Sequence, residues 1–225
     1  MLAWHFLSDD KRLGYGDGRL VEVGVPLECK GDPVLCDNGM HGSVRLIDAL
    51  RYASGPIVGR VEIEGDVIEG DDKLCGRRRT VLWMLDATRI LHEFSCMCTE
   101  DALALVEQPD ERSVEVIAAK RKWLDGKITD EELDAASAAA SDAARDADAA
   151  ADAAAEADAR DAALDAASDA ADAAVSAAAR DDAWAAAALQ ARDAAELEAA
   201  WAVAWAKQNE RLTAMVLDAH EDDEE

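Results

Sequence analysis

From Lys127 to Glu225 the chain contains neither a glycine nor a proline, and this feature divides it in two. Left-handed backbone needs glycine, and proline ends helices, so such a stretch has few means of changing direction. Between Ala135 and Ala206, 40 of 72 residues are alanine, the residue with the highest helix propensity. The large apolar side chains are concentrated in residues 1–126, which must therefore supply the main core. The pattern predicts an α+β protein, with a small mixed N-terminal domain followed by a long alanine-rich helical arm or helical hairpin. The expected organisation is a mixed α/β domain over 1–108, a connecting helix over 109–126, an acidic Ala/Asp-rich arm over 127–217 and a disordered acidic tail over 218–225.

The net charge of −26 is placed unevenly. Residues 1–126 carry 16 Lys+Arg against 23 Asp+Glu, a net of −7, whereas residues 127–225 carry 7 against 26, a net of −19. A surface this acidic repels nucleic acid and anionic membranes. Binding to a phosphate backbone requires cationic side chains, so the electrostatic partner expected here is a basic protein surface, not nucleic acid or membrane. The five cysteines (Cys29, Cys36, Cys75, Cys96 and Cys98) are an odd count behind a start that does not read as a signal peptide. That combination fits a reducing, cytoplasmic setting. No segment reads as an apolar membrane span of ~20 residues. The Cys29-x6-Cys36 and Cys96-x-Cys98 spacings differ from the paired short spacing of structural zinc sites, and no metal or cofactor is expected.

The first 75 residues read as short strands and turns. Ala3–Leu7 and Arg19–Val25 are candidate strands, and Pro56–Ile63 alternates apolar and polar residues, with Val67-Ile68 continuing beyond a Gly65-Asp66 turn. Ser43 is placed to cap a short helix over Val44–Tyr52. Thr80–Leu85 is an apolar run that periodicity alone leaves unassigned. Asp86 or Thr88 could cap a helix over Arg89–Cys98, and Thr99 another over Glu100–Glu107. Glu111–Asp125 is amphipathic, with Val114, Ile117 and Leu124 toward the core, and Gly126 suits the position just past its end. Thr129 with Glu132 forms a capping box, and Ile128 is placed to staple to Leu133. A single helix from there to Leu217 would be about 130 Å long.

Within the arm, Asp158, Asp161, Asp165, Asp169 and Asp172 are spaced 3, 4, 4 and 3. That spacing confines the carboxylates to a stripe about 80° wide, which is either a solvated helix face or a surface for a cationic groove. Farther on, Leu197, Trp201, Trp205, Leu212 and Val216 share another stripe, expected to be a packing or oligomer seam.

Two regions of the N-terminal domain are candidates for chemistry. Gly39, His41, Gly42 and Ser43 precede the expected helix, and the two glycines would let a ligand approach backbone amides. The bland alternative is a turn whose histidine bonds to a neighbouring carbonyl. A nucleotide-handling pocket would add Tyr52 and an acid such as Glu62 or Glu64. The second region is Arg77-Arg78-Arg79 with Lys73 and Arg60, a local basic cluster. It could hold a phosphate, pair with nearby acids or dock the acidic arm.

A set of motifs runs through much of the chain. Trp4-x-Phe6 is followed by a glycine-rich turn and by Pro33-Val34-Leu35-Cys36-x-x-Gly39-Met40-His41-x-Ser43. Asp48-Ala49-Leu50-Arg51-Tyr52-Ala53, Gly70-Asp71-Asp72-Lys73 and Trp205-Ala206-Lys207-Gln208-Asn209-x-Arg211-Leu212 come later. Together these resemble a family of uncharacterised proteins encoded by bacteriophages and prophages, with a C-x-x-G-[LM]-H-x-S motif and an alanine-rich C-terminal tail. The resemblance implies a phage-related origin in a bacterial cytoplasm and carries over no catalytic residue. The leading expectation is an accessory protein that acts by binding and not by catalysis. Its acidic arm would engage a basic surface of a host nucleic-acid-binding or defence protein, as an anti-CRISPR-like or DNA-mimic inhibitor. The alternatives are a structural protein that forms homo-oligomers through a coiled-coil or spacer helix, and a small ADP-ribosyltransferase-like enzyme built around His41.

Overall fold

The computed structural model of the chain describes residues 1–14, 16–104, 111–138 and 194–224. By its internal contacts the chain divides into two units, Met1–Ile90 together with Asn209–Glu225, and Leu91–Gln208. The first is mixed α and β. Its strands are β1 (Leu2–Leu7), β2 (Leu27–Glu28), β3 (Met40–Gly42), β4 (Ile57–Glu64), β5 (Ile68–Glu69), β6 (Leu74–Gly76) and β7 (Arg78–Asp86), with a short helix α1 (Leu46–Leu50) after β3. They form two antiparallel sheets, ordered β1-β4-β7-β2 and β3-β6-β5.

The two sheets are joined twice. Trp4 and Ser43 exchange backbone hydrogen bonds at 2.8 and 2.9 Å, which ties the start of β1 to the residue after β3. On the other side β6 runs into β7 across Arg77, whose N–H donates to the Gly65 carbonyl at 2.7 Å. The circuit β1–β4–β7–β6–β3 therefore closes on itself. Ala3, Leu7, Val61, Ile63, Leu74 and Val81 belong to its buried core, with every second residue of each strand turned inward, as the strand period dictates.

Several expected elements are present. Ala3–Leu7 lies in β1, Pro56–Ile63 is largely β4, and the ambiguous Thr80–Leu85 run is part of β7. Arg19–Val25 is not a strand. It contributes only isolated bridges, Arg12 with Leu20 and Val23 with Val81. Ile68–Glu69 does not extend β4 but pairs with β6 in the second sheet. The helix expected over Val44–Tyr52 is shorter, Leu46–Leu50, and Ser43 does not cap it: the cap position falls to Arg45, and Ser43 is bridged to Trp4 through its backbone. The N–H of Ile47, in the first turn, donates instead to Asn209 Oδ1 at 3.2 Å, from a residue 162 positions away.

After β7, Asp86 Oδ1 accepts from the Thr88 N–H at 2.8 Å and from Thr88 Oγ1 at 2.6 Å, opening α2 (Thr88–Leu103). The break expected at Thr99 is absent. Thr99 is buried inside α2 and its hydroxyl donates to the Ser95 carbonyl at 3.1 Å, so a residue that could have capped a new helix bonds back along the old one. α3 (Glu111–Leu124) buries Leu124 as expected, together with Val116, and leaves Ile117 half-buried, while Val114, expected to face inward, is exposed. Gly126, at φ +68°, donates to the Trp123 carbonyl, and Lys127 donates to that of Lys122, both at 2.8 Å. These two bonds make a Schellman closure. The Thr129 capping box is formed in both directions, with the Thr129 N–H donating to Glu132 Oε2 at 2.9 Å and the Glu132 N–H to Thr129 Oγ1 at 3.3 Å. It opens α4 over residues 130–138.

The last element is α5 (Ala194–Glu224). Asp218–Glu224, expected to be a disordered tail, forms the final turns of this helix. His220 anchors them by stacking on Trp83, with ring centroids 4.0 Å apart and planes 20° from parallel. Among the described residues no helix is long and apolar enough to cross a membrane.

Candidate functional site

Strand alternation decides what the three consecutive arginines do. Arg78 and Arg79 point to opposite faces of β7, and Arg77 sits at the bend before it. Arg77 Nη2 pairs with Asp32 at 3.0 Å and Asp66 at 2.9 Å, while Arg78 Nε lies 3.3 Å from Glu64 Oε2. These two side chains serve the surface. Arg79 turns into the strand circuit, where it is 3% exposed. Its Nη1 donates to the His41 carbonyl at 2.7 Å. Burial, and secondarily the nearby Arg19 cation, pulls its pKa down to about 10. The basic cluster read from the sequence is thus split. Arg60 lies over the Trp4 ring at 4.5 Å and Lys73 over the Tyr52 ring at 4.2 Å.

His41 lies in β3, opposite Cys75 of β6, and not in a loop before a helix. Its Nε2 accepts the Cys36 N–H at 3.3 Å. Burial lowers its pKa, a hydrogen bond to the Gly39 backbone opposes this, and the Lys73 and Arg79 charges lower it further. The glycines beside it answer to packing. A Cβ on Gly42 would stand 2.9 Å from Ile63 Cδ1, 3.0 Å from the Trp4 carbonyl oxygen and 3.1 Å from Ala3 Cβ, and one on Gly39 would stand 3.1 Å from Cys75 Cβ. Ser43 is buried in its bridge to Trp4. Tyr52 donates to Asp72 Oδ2 at 2.6 Å, and Glu64 is held by Arg78. Of the residues considered for a pocket with His41, Tyr52 and Glu64 are thus engaged with Asp72 and Arg78.

The interior face instead brings Arg79 toward His5, a residue the sequence reading passed over. His5 lies on β1 between the inward-facing Ala3 and Leu7 and opposite Gly59 of β4. As a residue it is half-buried. Burial lowers its pKa well below that of an ordinary histidine, with smaller contributions from Arg79 and His41. At neutral pH the site is one buried guanidinium beside two neutral imidazoles. The signal available in the sequence was the period of two: His5 is in phase with Ala3 and Leu7, and Arg79 with Val81.

Of the other expected site residues, Asp158, Asp161, Asp165, Asp169 and Asp172 lie outside the described residues. So do the side chains of Leu197 and Trp201. Trp205, Leu212 and Val216 are buried. The five thiols are free, with Cys75, Cys96 and Cys98 buried and Cys36 exposed. Among the described residues no group of three or more His, Cys, Asp or Glu side chains is arranged to hold a metal ion. Comparison with protein-family models, with curated proteins and with solved structures returns no match.

Proposed function

We propose that this protein is a phage-related accessory factor that works by binding. In this reading its acidic, alanine-rich segment engages a basic surface of a host nucleic-acid-binding or defence protein, in the manner of a DNA-mimic or anti-CRISPR-like inhibitor. The observation that carries it is the net charge of −19 on residues 127–225. The five-Asp stripe, if helical, would concentrate part of that charge on one face.

The test uses the full chain and two variants. One replaces Asp158, Asp161, Asp165, Asp169 and Asp172 with Asn. The other replaces Asp142, Asp146, Asp148 and Asp152 with Asn and Glu156 with Gln. Each is used to capture proteins from bacterial lysate across a salt series, with double-stranded DNA added as competitor. Wild type should recover nucleic-acid-binding proteins whose capture falls with salt and with added DNA. The stripe variant should lose them, because screened surface charge steers association. Equal recovery by wild type and both variants would remove the electrostatic reading and leave the arm as a spacer.

A further inference from the structure

The second sheet ends on an open edge. β5 is last in the order β3-β6-β5, and both of its residues are exposed. The Gly70 N–H donates to the Lys73 carbonyl at 2.8 Å, so these two residues form a hydrogen-bonded pair across the β5–β6 turn. Such pairs alternate along an antiparallel ladder. Ile68 and Cys75 are therefore the next bonded pair, and Glu69, opposite Leu74, is not bonded to β6. The Glu69 N–H and C=O point to the outer edge, as do those of Val67 two residues earlier. Neither residue has a backbone partner there among the described residues. An uncovered edge of this kind is a template for a further strand.

Charge and shape around the edge decide what can pair with it. Beside the end of β5 lies a cavity of about 200 Å³, between the β5–β6 turn and the residues that open α1. Val44, which is exposed, and Leu74 give it apolar walls. Its lining carries four carboxylates (Asp48, Glu69, Asp71 and Asp72) against two cations, Arg45 and Lys73. Arg45 pairs with Asp48 at 2.5 Å, and Asp72 accepts from Arg51 at 2.9 Å and from Tyr52 at 2.6 Å. Lys73 lies over the Tyr52 ring. Glu69 and Asp71 are exposed and have no ion pair or hydrogen bond among the described residues. The edge thus presents apolar Val67 and Ile68, both exposed, with two unpaired carboxylates at its end. A second copy of this chain would bring its own Glu69 and Asp71 to the same edge, and like charges facing each other across strands repel.

We infer that the outer edge of β5 binds an extended basic segment of a partner protein as an added strand, with a lysine or arginine side chain seated in the cavity. Main-chain hydrogen bonds to Val67 and Glu69 hold the segment, and the cavity selects the side chain. The aliphatic stem packs on Val44 and Leu74 while the charged head reaches Glu69 and Asp71. Side chains alternate along a strand, so the residues flanking the basic one face the Ile68 side, where apolar ones fit. This surface lies on the first unit and does not depend on the acidic segment.

The test titrates a capped hexapeptide of alternating lysine and valine into the full-length protein and reads amide hydrogen exchange. Binding should raise protection at the Val67 and Glu69 amides, whose N–H groups gain partners, and a glutamate–valine peptide should not bind. Methylating every backbone nitrogen of the lysine peptide keeps its charge but removes its donors and blocks close approach, so this form should give no protection. Glu69→Gln combined with Asp71→Asn changes two exposed side chains and should weaken binding about threefold to tenfold. The variant with Asn at Asp158, Asp161, Asp165, Asp169 and Asp172 should bind at β5 as wild type does, which separates this surface from the acidic segment. Absence of protection at Val67 and Glu69, equal protection by the methylated peptide, or undiminished affinity in the double variant would overturn the inference. So would protection at β5 that rises with protein concentration alone, which would assign the edge to a second copy.

Discussion

At the scale of single residues, the structure separates positions that look alike in sequence. Gly42 and Gly59 are both strand glycines, but only the first is hemmed in. A Cβ at Gly42 meets atoms at 2.9–3.1 Å from three sides, whereas at Gly59 the nearest atom is the Trp83 carbonyl oxygen at 3.5 Å. Gly42→Ala should therefore cost about 1–3 kcal/mol, the usual range for overpacking. Gly59→Ala should be neutral or stabilising by up to about 1 kcal/mol, because glycine weakens strands. Urea unfolding of the two variants checks the contrast, and equal losses would refute it. Histidine sets a second residue-scale expectation. His92 packs edge-on against Trp123 at 5.1 Å, and burial, with the Lys120 charge, lowers its pKa to about 4. The unfolded chain binds that proton near pH 6.5 and the folded one does not until about pH 4, so stability is full above the first value and lost as pH falls toward the second. His5 and His41 act in the same sense. His92→Phe keeps the ring contact and removes the titration, so it should flatten the loss of stability between neutral pH and about pH 4. An unchanged slope would count against His92 as a contributor.

At the scale of elements, ends written in neighbouring residues were legible and ends supplied from elsewhere were not. The Thr129–Glu132 box and the Gly126 closure depend on residues within a few positions of each other, and both are formed. α1 is different. Its five residues are all buried, it has no local side-chain cap, and its first turn is satisfied by Asn209. Asn209→Ala should cost about 1 kcal/mol, the usual value of a lost cap. Hydrogen exchange should show the loss concentrated at the Ile47 amide, and unchanged protection there would mean that the bond contributes nothing. The strands β2, β3 and β6 escaped notice for a related reason. They are two or three residues long, too short to show a period, and they exist through their pairing with β7 and with each other.

At the scale of the molecule, the unit that begins at Met1 is completed by residues from the other end of the chain. Asn209–Glu225 belongs with Met1–Ile90. Within it Leu212 and Val216 are fully buried, and His220 stacks on Trp83. The expectation that residues 1–126 hold the main core is incomplete by these side chains. A chain ending at Gln208 should lose about 3–6 kcal/mol from the two apolar residues alone. Its thermal melt should be shifted well down or lose cooperativity, and an unshifted melt would show that the C-terminal turns contribute no stability to the fold.

By itself the sequence determined the mixed class of the first part, the stop at Gly126, the helix start at Thr129 and the placement of charge. Each of these rests on intrinsic propensity, on residues a few positions apart, or on simple counting. Only the tertiary structure decided that β6 and β7 are one bent path, that Arg79 faces inward with His5 while Arg77 and Arg78 face acids outside, and that Asn209 caps α1. Those outcomes depend on strand register and on contacts between residues tens to more than a hundred positions apart. A period of two can say that neighbours face opposite ways. It cannot say which face will be closed over by another strand.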